Sequence, residues 1–344
     1  MALDEFGLIR RYFTRPGVAP NAGAPGLRLG IGDDAALLDL PAGETLAVTT
    51  DTLVAGRHFP HDASAFDIGW KALAVNLSDL AAMAARPLGV TLALTLPEAD
   101  EAWLAGFSAG FFALADAQGV PLIGGDTTRG PLSITVTALG GVPAGQALRR
   151  DGARAGDLLY VSGTLGDAGL GLALALDALP APVAAPVAAL PAAARELALA
   201  RLHRPTPRLA AGLALRGLAS AAMDVSDGLA QDLGHLLSAS AGADGALGAE
   251  LALERLPLSP ALAALAAQGG AVRDQALGWA LSAGDDYELL FAVPPSAVAS
   301  VAALSEPLGL PLTCVGRVTP ADGVRMAWHG ESWGRMADGY RHFG

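Results

Sequence analysis

Cysteine is nearly missing from this chain of 344 residues, in which Cys314 is the only one. A single cysteine excludes an internal disulfide framework and a zinc site built from several cysteines. The near-absence of cysteine is compatible with a reducing compartment, and we expect a cytoplasmic protein.

Positive charge is also scarce. The chain carries 22 Lys and Arg against 34 Asp and Glu, a formal net charge of −12, and Lys71 is its only lysine. This balance argues against a nucleic-acid partner, which calls for a basic surface. Lys71 lies in no glycine-rich loop of the P-loop type, and protein-kinase motifs are missing, so neither of those routes to ATP binding is predicted.

Long apolar runs are missing too. The Ala-rich stretch 170–199 comes closest, but Asp177, Arg195 and several prolines interrupt it. The first fifteen residues lack the apolar segment of a signal peptide, so we expect no membrane partner. With 52% hydrophobic residues the chain can bury a sizeable core, and its length suggests two domains.

In contrast to these scarce features, the chain contains several acidic motifs. Residues 45–50 are apolar and β-branched, which predicts a short buried strand. That strand is expected to end in the tetrad Thr49-Thr50-Asp51-Thr52. Because hydroxyl and carboxylate oxygens are the ligands that Mg²⁺ takes, the tetrad predicts a metal site that holds phosphates.

Further carboxylates recur beside glycine or within apolar runs. They are Asp33, Asp34, Asp79, Asp126, Asp224, Asp227, Asp285 and Asp286. Each alone is compatible with a turn or a helix N-cap, and Asp227 is a good N-cap candidate. Asn76 and Asp79 share one face of a helix predicted over 67–84, and a buried unpaired carboxylate there would be costly. Several carboxylates brought together would repel one another unless cations held them.

The remaining pattern predicts a mixed α/β protein. Strands are expected over 88–96, 120–123, 131–140, 157–161, 220–223, 289–293 and 313–318, with helices between them. The Gly-, Ala- and Pro-rich segment 142–156 predicts a boundary between domains 1–144 and 145–344. The Pro/Ala tract 179–191 predicts a surface excursion, and Pro207 suits the first turn of a helix from Thr206.

A phosphate site also needs donors. Candidates are the backbone N–H groups of Gly124, Gly125 and residues 163–166, with Arg150 and the hydroxyls of Thr127 and Ser226. Arg149-Arg150 is equally compatible with a solvated surface pair. His58, shortly after the tetrad, is either a ligand contact or an ordinary loop histidine, and no nucleophilic triad stands out.

Six motifs follow one another along the chain. They are Gly30-Ile31-Gly32-Asp33-Asp34-Ala35, Thr50-Asp51-Thr52-Leu53-Val54 with His58-Phe59, Asn76-Leu77-Ser78-Asp79-Leu80-Ala81-Ala82-Met83, Gly124-Gly125-Asp126-Thr127, Asp224-Val225-Ser226-Asp227-Gly228-Leu229, and Gly284-Asp285-Asp286-Tyr287-Glu288-Leu289. In kind, order and number they resemble the thiamine-monophosphate kinase family. Its superfamily includes aminoimidazole ribonucleotide synthetase, selenophosphate synthetase and the hydrogenase-maturation dehydratase. The resemblance covers nearly the whole chain.

The resemblance implies a two-domain aminoimidazole ribonucleotide synthetase-like fold and a homodimer whose N-terminal domains pair into a β-barrel. Residues 1–144 would then bind metal and ATP and form the dimer, and residues 145–344 would complete the cleft for ATP and substrate. The implied reaction transfers the γ-phosphoryl group of ATP directly, in line, to the phosphate of thiamine monophosphate. The product is thiamine diphosphate, and this is the last step of its biosynthesis.

The resemblance also implies roles for single residues. Several Mg²⁺ ions would be held by Asp34, Thr49, Thr50, Asp51, Asp79, Asp126, Asp224 and Asp227. ATP would be contacted by Gly125, Asp126, Arg150 and Ser226, and the thiamine substrate by His58, Asp285 and Tyr340. Position 285 is as often Glu as Asp in the family, which is a small departure here. No residue is expected to act as a catalytic acid or base, because the acceptor is already a phosphate oxyanion and positioning with metal electrostatics suffices.

Two alternatives stay open at this point. Aminoimidazole ribonucleotide synthetase is the nearer rival, since it also makes ADP from ATP, although the Thr-Asp-Thr-Leu-Val and His-Phe motifs favour the thiamine substrate. Cys314 is placed near neither terminus, as the other two activities of the superfamily would require. From a different class, a non-catalytic nucleotide- or Mg²⁺-binding regulator is possible, but intact acidic motifs in both halves argue against it.

Overall fold

The computed structural model describes residues 5–14, 26–241 and 245–334. These residues divide into two compact units. The first contains the described residues up to Leu80 together with Ala85–Ala147, and the second contains Ala81–Ala84 and those from Leu148 onward.

The first unit is built on a four-stranded sheet of order β3-β6-β4-β5, with a separate two-stranded ribbon β1-β2. Strands β4 and β5 are parallel, and the other neighbours are antiparallel. The strands are β1 (Leu27–Leu29), β2 (Leu37–Leu38), β3 (Glu44–Val54), β4 (Arg86–Leu96), β5 (Leu122–Arg129) and β6 (Ser133–Pro143). The helices are α1 (Glu5–Leu8), which continues into the π-helical turn Ile9–Phe13, then α2 (Ala65–Ala82) and α3 (Glu101–Gln118).

Close packing of α2 on α3 fixes the position of α2. A Cβ atom on Gly110 would lie only 1.9 Å from the carbonyl oxygen of Phe66, and one on Gly69 only 2.1 Å from that of Phe107. Helix α3 begins after Asp100, whose side chain accepts hydrogen bonds from two N–H groups of the first turn. Because the two helices touch through glycines, α2 has little freedom to slide, and its polar residues keep a fixed place against β3.

The second unit contains a seven-stranded sheet of order β13-β12-β9-β11-β7-β10-β8, antiparallel except between β12 and β9. Its strands are β7 (Leu158–Ser162), β8 (Ala221–Asp224), β9 (Gly248–Ala252), β10 (Leu289–Val293), β11 (Leu312–Thr319), β12 (Gly323–Trp328) and β13 (Glu331–Ser332). Its helices are α4 (Asp167–Ala175), α5 (Ala181–Ala188), α6 (Ala192–His203), α7 (Leu209–Leu215), α8 (Leu229–Ala241), α9 (Pro260–Ala266), α10 (Gly270–Ser282), α11 (Val298–Ala302) and α12 (Ser305–Leu308). Two 3₁₀ turns, Leu253–Arg255 and Pro295–Ala297, complete the set.

The predicted mixed α/β class is confirmed. The strand expected over 289–293 is β10 residue for residue, and it is fully buried between β7 and β8. The strand expected over 313–318 lies within β11. The continuous apolar run of β10 is typical of a strand covered on both faces, which is why it was predicted well.

Strand β3 differs from its prediction. It runs from Glu44 to Val54, so the tetrad lies in the second half of the strand and not at its end. It is not a buried strand either, because β3 is at the edge of its sheet and Leu46, Val48 and Val54 are exposed on one face. The apolar run predicts a strand buried on both faces, but half of its side chains lie on an uncovered face of the sheet. Residues 124–129 likewise continue strand β5 and do not form a loop.

The Pro/Ala tract also differs from its prediction. Residues 181–188 form helix α5, and the side chains of Val183 and Val187 are fully buried in an apolar cluster with Leu262 and Trp279. Pro186 is accommodated in this short helix, one turn after Pro182, which lies in the first turn. The helix expected from Thr206 begins only at Leu209.

The described helices include none that is both long and apolar enough to cross a bilayer. The Ala-rich stretch 170–199 is divided among α4, α5 and α6. Each of these is shorter than the span of about 20 residues that a membrane helix needs.

Candidate functional site

The central part of β3 and the facing side of α2 bring three of the predicted metal ligands together. The Thr49 hydroxyl donates a hydrogen bond to the Asp79 carboxylate. One turn earlier on α2, the buried Asn76 accepts from the backbone N–H of Asp51 through Oδ1 (3.0 Å) and donates through Nδ2 to the Ala72 carbonyl (3.1 Å). The expected shared face of Asn76 and Asp79 is therefore confirmed, and it faces the tetrad.

This arrangement places two carboxylates side by side. Burial, and next the neighbouring Asp79 carboxylate, raises the pKa of Asp51 to about 6. Loss of solvation and like-charge repulsion both disfavour the ionised form, and a bound cation would relieve both. The oxygen-rich surroundings of Asp51 and Asp79 therefore fit a divalent ion such as Mg²⁺.

Within the described parts of the chain, no three His, Cys, Asp or Glu side chains are grouped closely enough to hold a metal ion. Mg²⁺ commonly binds through one or two protein carboxylates together with water and substrate phosphates. The Asp51–Asp79 pair has the composition of such a partial site. Asp34 lies in an exposed loop, where its N–H bonds to Asp33, and Asp126 is exposed on β5 opposite Ala93.

Thr50 lies on the other face of the same strand. Its hydroxyl pairs with that of Thr137 on β6 at 2.9 Å, and the Thr52 hydroxyl pairs with that of Thr135 at 2.8 Å. Successive side chains of a strand point to opposite faces, so the hydroxyls of Thr49 and Thr50 cannot serve one metal ion together. The geometry gives no support to a metal-binding role for the Thr50 hydroxyl.

Two other predicted contacts of the first unit also have local structural roles. A Cβ atom on Gly125 would lie 1.9 Å from the Leu92 carbonyl oxygen, so the close pairing of β5 with β4 by itself requires glycine there. The Nδ1 atom of His58 accepts from the N–H of Val54 at 3.0 Å, which ties the loop after β3 back to the strand.

In the second unit, the loop after β8 is held by a residue that the sequence analysis did not single out. The buried Asp232 accepts hydrogen bonds at 3.1 Å from the backbone N–H groups of Ser226, Asp227 and Gly228, all on its Oδ2 atom. Asp232 thus caps α8 from within its first turn, the role that had been considered for Asp227. The Asp227 carboxylate instead accepts from the side chain of Gln231 at 3.0 Å.

The loop before β10 is bonded directly to the loop after β8. The N–H groups of Asp285 and Tyr287 donate to the carbonyls of Ser226 (2.8 Å) and Val225 (2.9 Å), and the N–H of Val225 donates to the Glu288 carbonyl (2.8 Å). We call residues 224–228 and 284–287, with these bonds, the two-loop platform. It carries Asp224, Ser226, Asp227 and Asp285, which are the predicted metal, ATP and substrate contacts of this half.

Several of the proposed phosphate donors are already used by the protein. The N–H groups of Gly163 and Leu165 donate to the carbonyls of Pro311 and Pro257, and that of Gly166 donates to the buried Asp286 carboxylate. These three N–H groups therefore cannot donate to a phosphate without breaking an existing hydrogen bond. Arg150 has an exposed side chain, whereas its neighbour Arg149 forms an exposed ion pair with Asp151. Tyr340 lies outside the described residues.

A buried ionic cluster around Glu288 was likewise not predicted from the sequence. This side chain is fully buried and accepts from Arg201, Arg208 and the Ser162 hydroxyl. A charged residue directly before the apolar run of β10 was the available signal, since Glu is almost never fully buried unless it is paired. The spacing of Asp232 four residues after Gly228 was the corresponding signal for the cap.

Comparison with protein families matches both halves of the chain. Residues 32–142 match the AIR synthase related protein, N-terminal domain, and residues 154–329 match the AIR synthase related protein, C-terminal domain. Together these matches extend across both compact units. They confirm the two-domain fold of this superfamily that the motifs implied.

Individual relatives match over nearly the whole length. Thiamine-monophosphate kinase from Escherichia coli strain K12 is 47% identical, covering 100% of this chain and 99% of its own. The crystal structure of thiamine-monophosphate kinase from Stenotrophomonas maltophilia K279a is 50% identical, covers 97% of this chain and 99% of its own, and has a TM-score of 0.80. AaThiL complexed with AMPPCP and TMP is 30% identical, with a TM-score of 0.72 and coverage of 99% and 97%. The resemblance carried by the six motifs is thus confirmed, and the chain belongs to the thiamine-monophosphate kinase family.

Proposed function

We propose that this protein transfers the γ-phosphoryl group of ATP directly to the phosphate of thiamine monophosphate and so forms thiamine diphosphate in the last step of its biosynthesis. The observation that carries the proposal is the Asp51–Asp79 pair on β3 and α2, found in a chain of this family. Donor and acceptor both carry anionic phosphates, so the site must neutralise charge before the two can meet in line.

The chain's own residues would prepare this encounter by orientation. Asn76 holds the backbone of Asp51, and the Thr49 hydroxyl holds the carboxylate of Asp79, so the strand at Asp51 and the Asp79 carboxylate are in place before anything binds. When bound, several Mg²⁺ ions would supply the positive charge that this acidic protein lacks. Of the predicted ligands, Asp34, Thr49, Thr50, Asp51, Asp79 and Asp126 belong to the first unit, and Asp224 and Asp227 to the second.

Contacts to the two substrates complete the proposal. Gly125, Asp126, Arg150 and Ser226 are proposed to bind ATP, and His58, Asp285 and Tyr340 to bind the thiamine substrate. Because the N–H of Ser226 is taken by Asp232 and its carbonyl accepts from the N–H of Asp285, Ser226 would reach ATP through its hydroxyl. The acceptor is an oxyanion near neutral pH, and no general base is included.

A direct assay tests this function. The full chain is incubated with ATP, Mg²⁺ and thiamine monophosphate, and thiamine diphosphate is separated and quantified. Stoichiometric formation of ADP and thiamine diphosphate is expected. ATP binding without any diphosphate would overturn the kinase proposal and favour a non-catalytic nucleotide-binding regulator.

We also propose a homodimer in which the sheets of the first unit pair into a β-barrel. The support is the outer face of edge strand β3, where Val48 is 58% exposed and Leu46 43% exposed. Apolar side chains on an open edge strand are normally covered by a partner. Light scattering should find a dimer, Val48→Glu should weaken it, and Leu176→Glu, at a similarly exposed leucine outside the sheet, should not.

Two further expectations are kept as proposals. Residues 1–144 would form the metal, ATP and dimerisation domain and residues 145–344 the domain that completes the cleft, and limited proteolysis should then cut first between residues 142 and 156. A cytoplasmic location is proposed from the near-absence of cysteine, and fractionation of the source cells tests it.

A further inference from the structure

Glu288 forms an unusually well-bonded buried carboxylate. Its Oε2 atom accepts from the Ser162 hydroxyl (2.6 Å) and from Nε of Arg208 (2.7 Å), and its Oε1 atom accepts from Nη2 of Arg201 (2.7 Å) and of Arg208. The carboxylate is fully buried, while the two arginine side chains are 12% and 18% exposed. Two guanidinium groups and a hydroxyl leave its oxygens little freedom to move.

The same cluster reaches the backbone of the two-loop platform. Arg201 also donates to the carbonyl of Asp286 at 3.1 Å. The Ser162 hydroxyl, which donates to Glu288, accepts from the N–H of Leu289 at 2.8 Å. Two partners of the Glu288 side chain therefore also hold the backbone around Asp285. Arg201 bonds to Asp286 within the loop, and Ser162 bonds to Leu289 just after it.

The loop needs such support because its backbone is strained. Asp285 and Tyr287 have φ angles of 60° and 49°, in the left-handed region that side chains other than glycine rarely adopt. Residues in this region persist only where the surrounding structure imposes the conformation. Three backbone hydrogen bonds join this strained loop to residues 225 and 226. They couple its conformation to that of the loop that carries Ser226 and Asp227.

We propose that Glu288 is a positioning residue which, through Arg201, Arg208 and Ser162, fixes both loops of the platform at once. In this role Glu288 touches neither substrate. It holds Asp285 for the thiamine substrate, Ser226 for ATP and Asp227 for Mg²⁺ in one geometry. This inference rests on the proposed kinase function for its kinetic consequences, and its structural part stands without that function.

The kinetic test compares Glu288→Gln with Asp285→Asn. Gln keeps the shape of the side chain but removes the charge that both arginines need, so both loops should relax. We expect Glu288→Gln to raise the KM for ATP and the KM for thiamine monophosphate by about 10-fold each. Asp285→Asn, at the proposed contact to the thiamine substrate, should raise the KM for thiamine monophosphate alone.

The structural test needs no activity. Hydrogen exchange is followed at the amides of Val225, Asp285 and Tyr287, which form the bonds between the loops. In Glu288→Gln all three should exchange about 10-fold faster or more, since their opening free energy falls. Failure of the wild-type assay would overturn the kinase function and leave this readout intact.

The matched control is Asp157→Asn. Asp157 is also a buried carboxylate, and it accepts from the N–H of Arg154 (2.9 Å) and the Ser220 hydroxyl (2.6 Å). It lies just before the first residue of β7, whereas Ser162 is the last residue of that strand. If Glu288→Gln does not fold, Ser162→Ala removes one of the donors to Glu288 together with the acceptor for the N–H of Leu289, and it should give the same pattern with smaller changes. Unchanged amide exchange, or a change in only one of the two KM values, would overturn the proposal.

Discussion

The two acidic regions of this protein use their carboxylates in different ways. In the first unit, the Asp79 carboxylate accepts from the Thr49 hydroxyl and lies close enough to Asp51 to raise the pKa of that residue. In the second unit, Asp232, Asp286 and Glu288 are buried and bonded to backbone N–H groups, arginines or a hydroxyl. The first arrangement leaves the negative charge of the carboxylates for a cation to neutralise. In the second, the protein's own groups already bond to the carboxylates.

The difference teaches that an aspartate in the sequence is an ambiguous signal of a ligand site. A raised pKa does not resolve it, because burial raises the pKa of Asp51 to about 6 and that of Asp232 to about 7. What separates the two is the number of internal donors: Asp232 receives three N–H groups on one oxygen. Internal hydrogen bonding therefore assigns Asp232 to the scaffold and leaves Asp51 available for a ligand.

The largest expected effect comes from the first region. Asp51→Asn or Asp79→Asn should each lower kcat/KM by roughly 100-fold or more, since each removes a charge from the proposed Mg²⁺ site. In metal-free buffer Asp51→Asn should unfold at the same temperature as the wild type or higher, because the repulsion from Asp79 is gone. Kinetics at saturating Mg²⁺ and thermal unfolding check both points, and wild-type turnover would remove these residues from the site.

The second region should respond mainly in stability. Gly163 has a φ of 58°, and a Cβ atom there would lie 2.2 Å from Oε1 of Glu288, so Gly163→Ala should lower the unfolding free energy by about 3 kcal/mol. The control is Gly278→Ala in α10, where a Cβ atom meets nothing within 4 Å. It should stabilise by up to about 1 kcal/mol. Urea unfolding of both variants measures the contrast, and equal effects would show that the cluster around Glu288 is loosely packed.

Sequence reasoning could find the elements and the family but not these assignments. Strand β10 was predicted because its apolar run is unambiguous, while β3 was read as buried because an exposed apolar face looks the same in sequence. The shared helix face of Asn76 and Asp79 followed from helical spacing, whereas the contact of Asn76 with Asp51 is visible only in the structure. The role of Asp232 did not follow, because it depends on three N–H groups that converge only in the folded loop.

A pH-dependent effect sharpens the comparison further. Burial is the main cause that raises the pKa of Asp286 well above its ordinary value of 3.8, while the bond from Gly166 lowers it. The folded state therefore binds the proton more tightly than the unfolded state, and this group's contribution to stability is lost as the pH rises above about 4. The free energy of unfolding of Asp286→Asn, relative to the wild type, should rise between pH 4 and pH 8, by at most about 1.4 kcal/mol per pH unit. A constant difference from pH 4 to pH 8 in chemical unfolding would contradict the assignment.

The smallest expected effect separates the two faces of β3. Thr49 donates to Asp79 on the face toward α2, whereas Thr50 pairs with Thr137 on the other face. Valine keeps the shape of threonine without the hydroxyl, so Thr49→Val should raise the Mg²⁺ concentration for half-maximal rate by about 3- to 10-fold, and Thr50→Val by less than about 2-fold. Both variants lose one hydroxyl from the same strand, so each is the stability control of the other in a Mg²⁺ titration of the initial rate. A stronger effect of Thr50→Val would place the cation near the outer face of the sheet, and the partial metal site would then have to be built without the Thr49–Asp79 hydrogen bond.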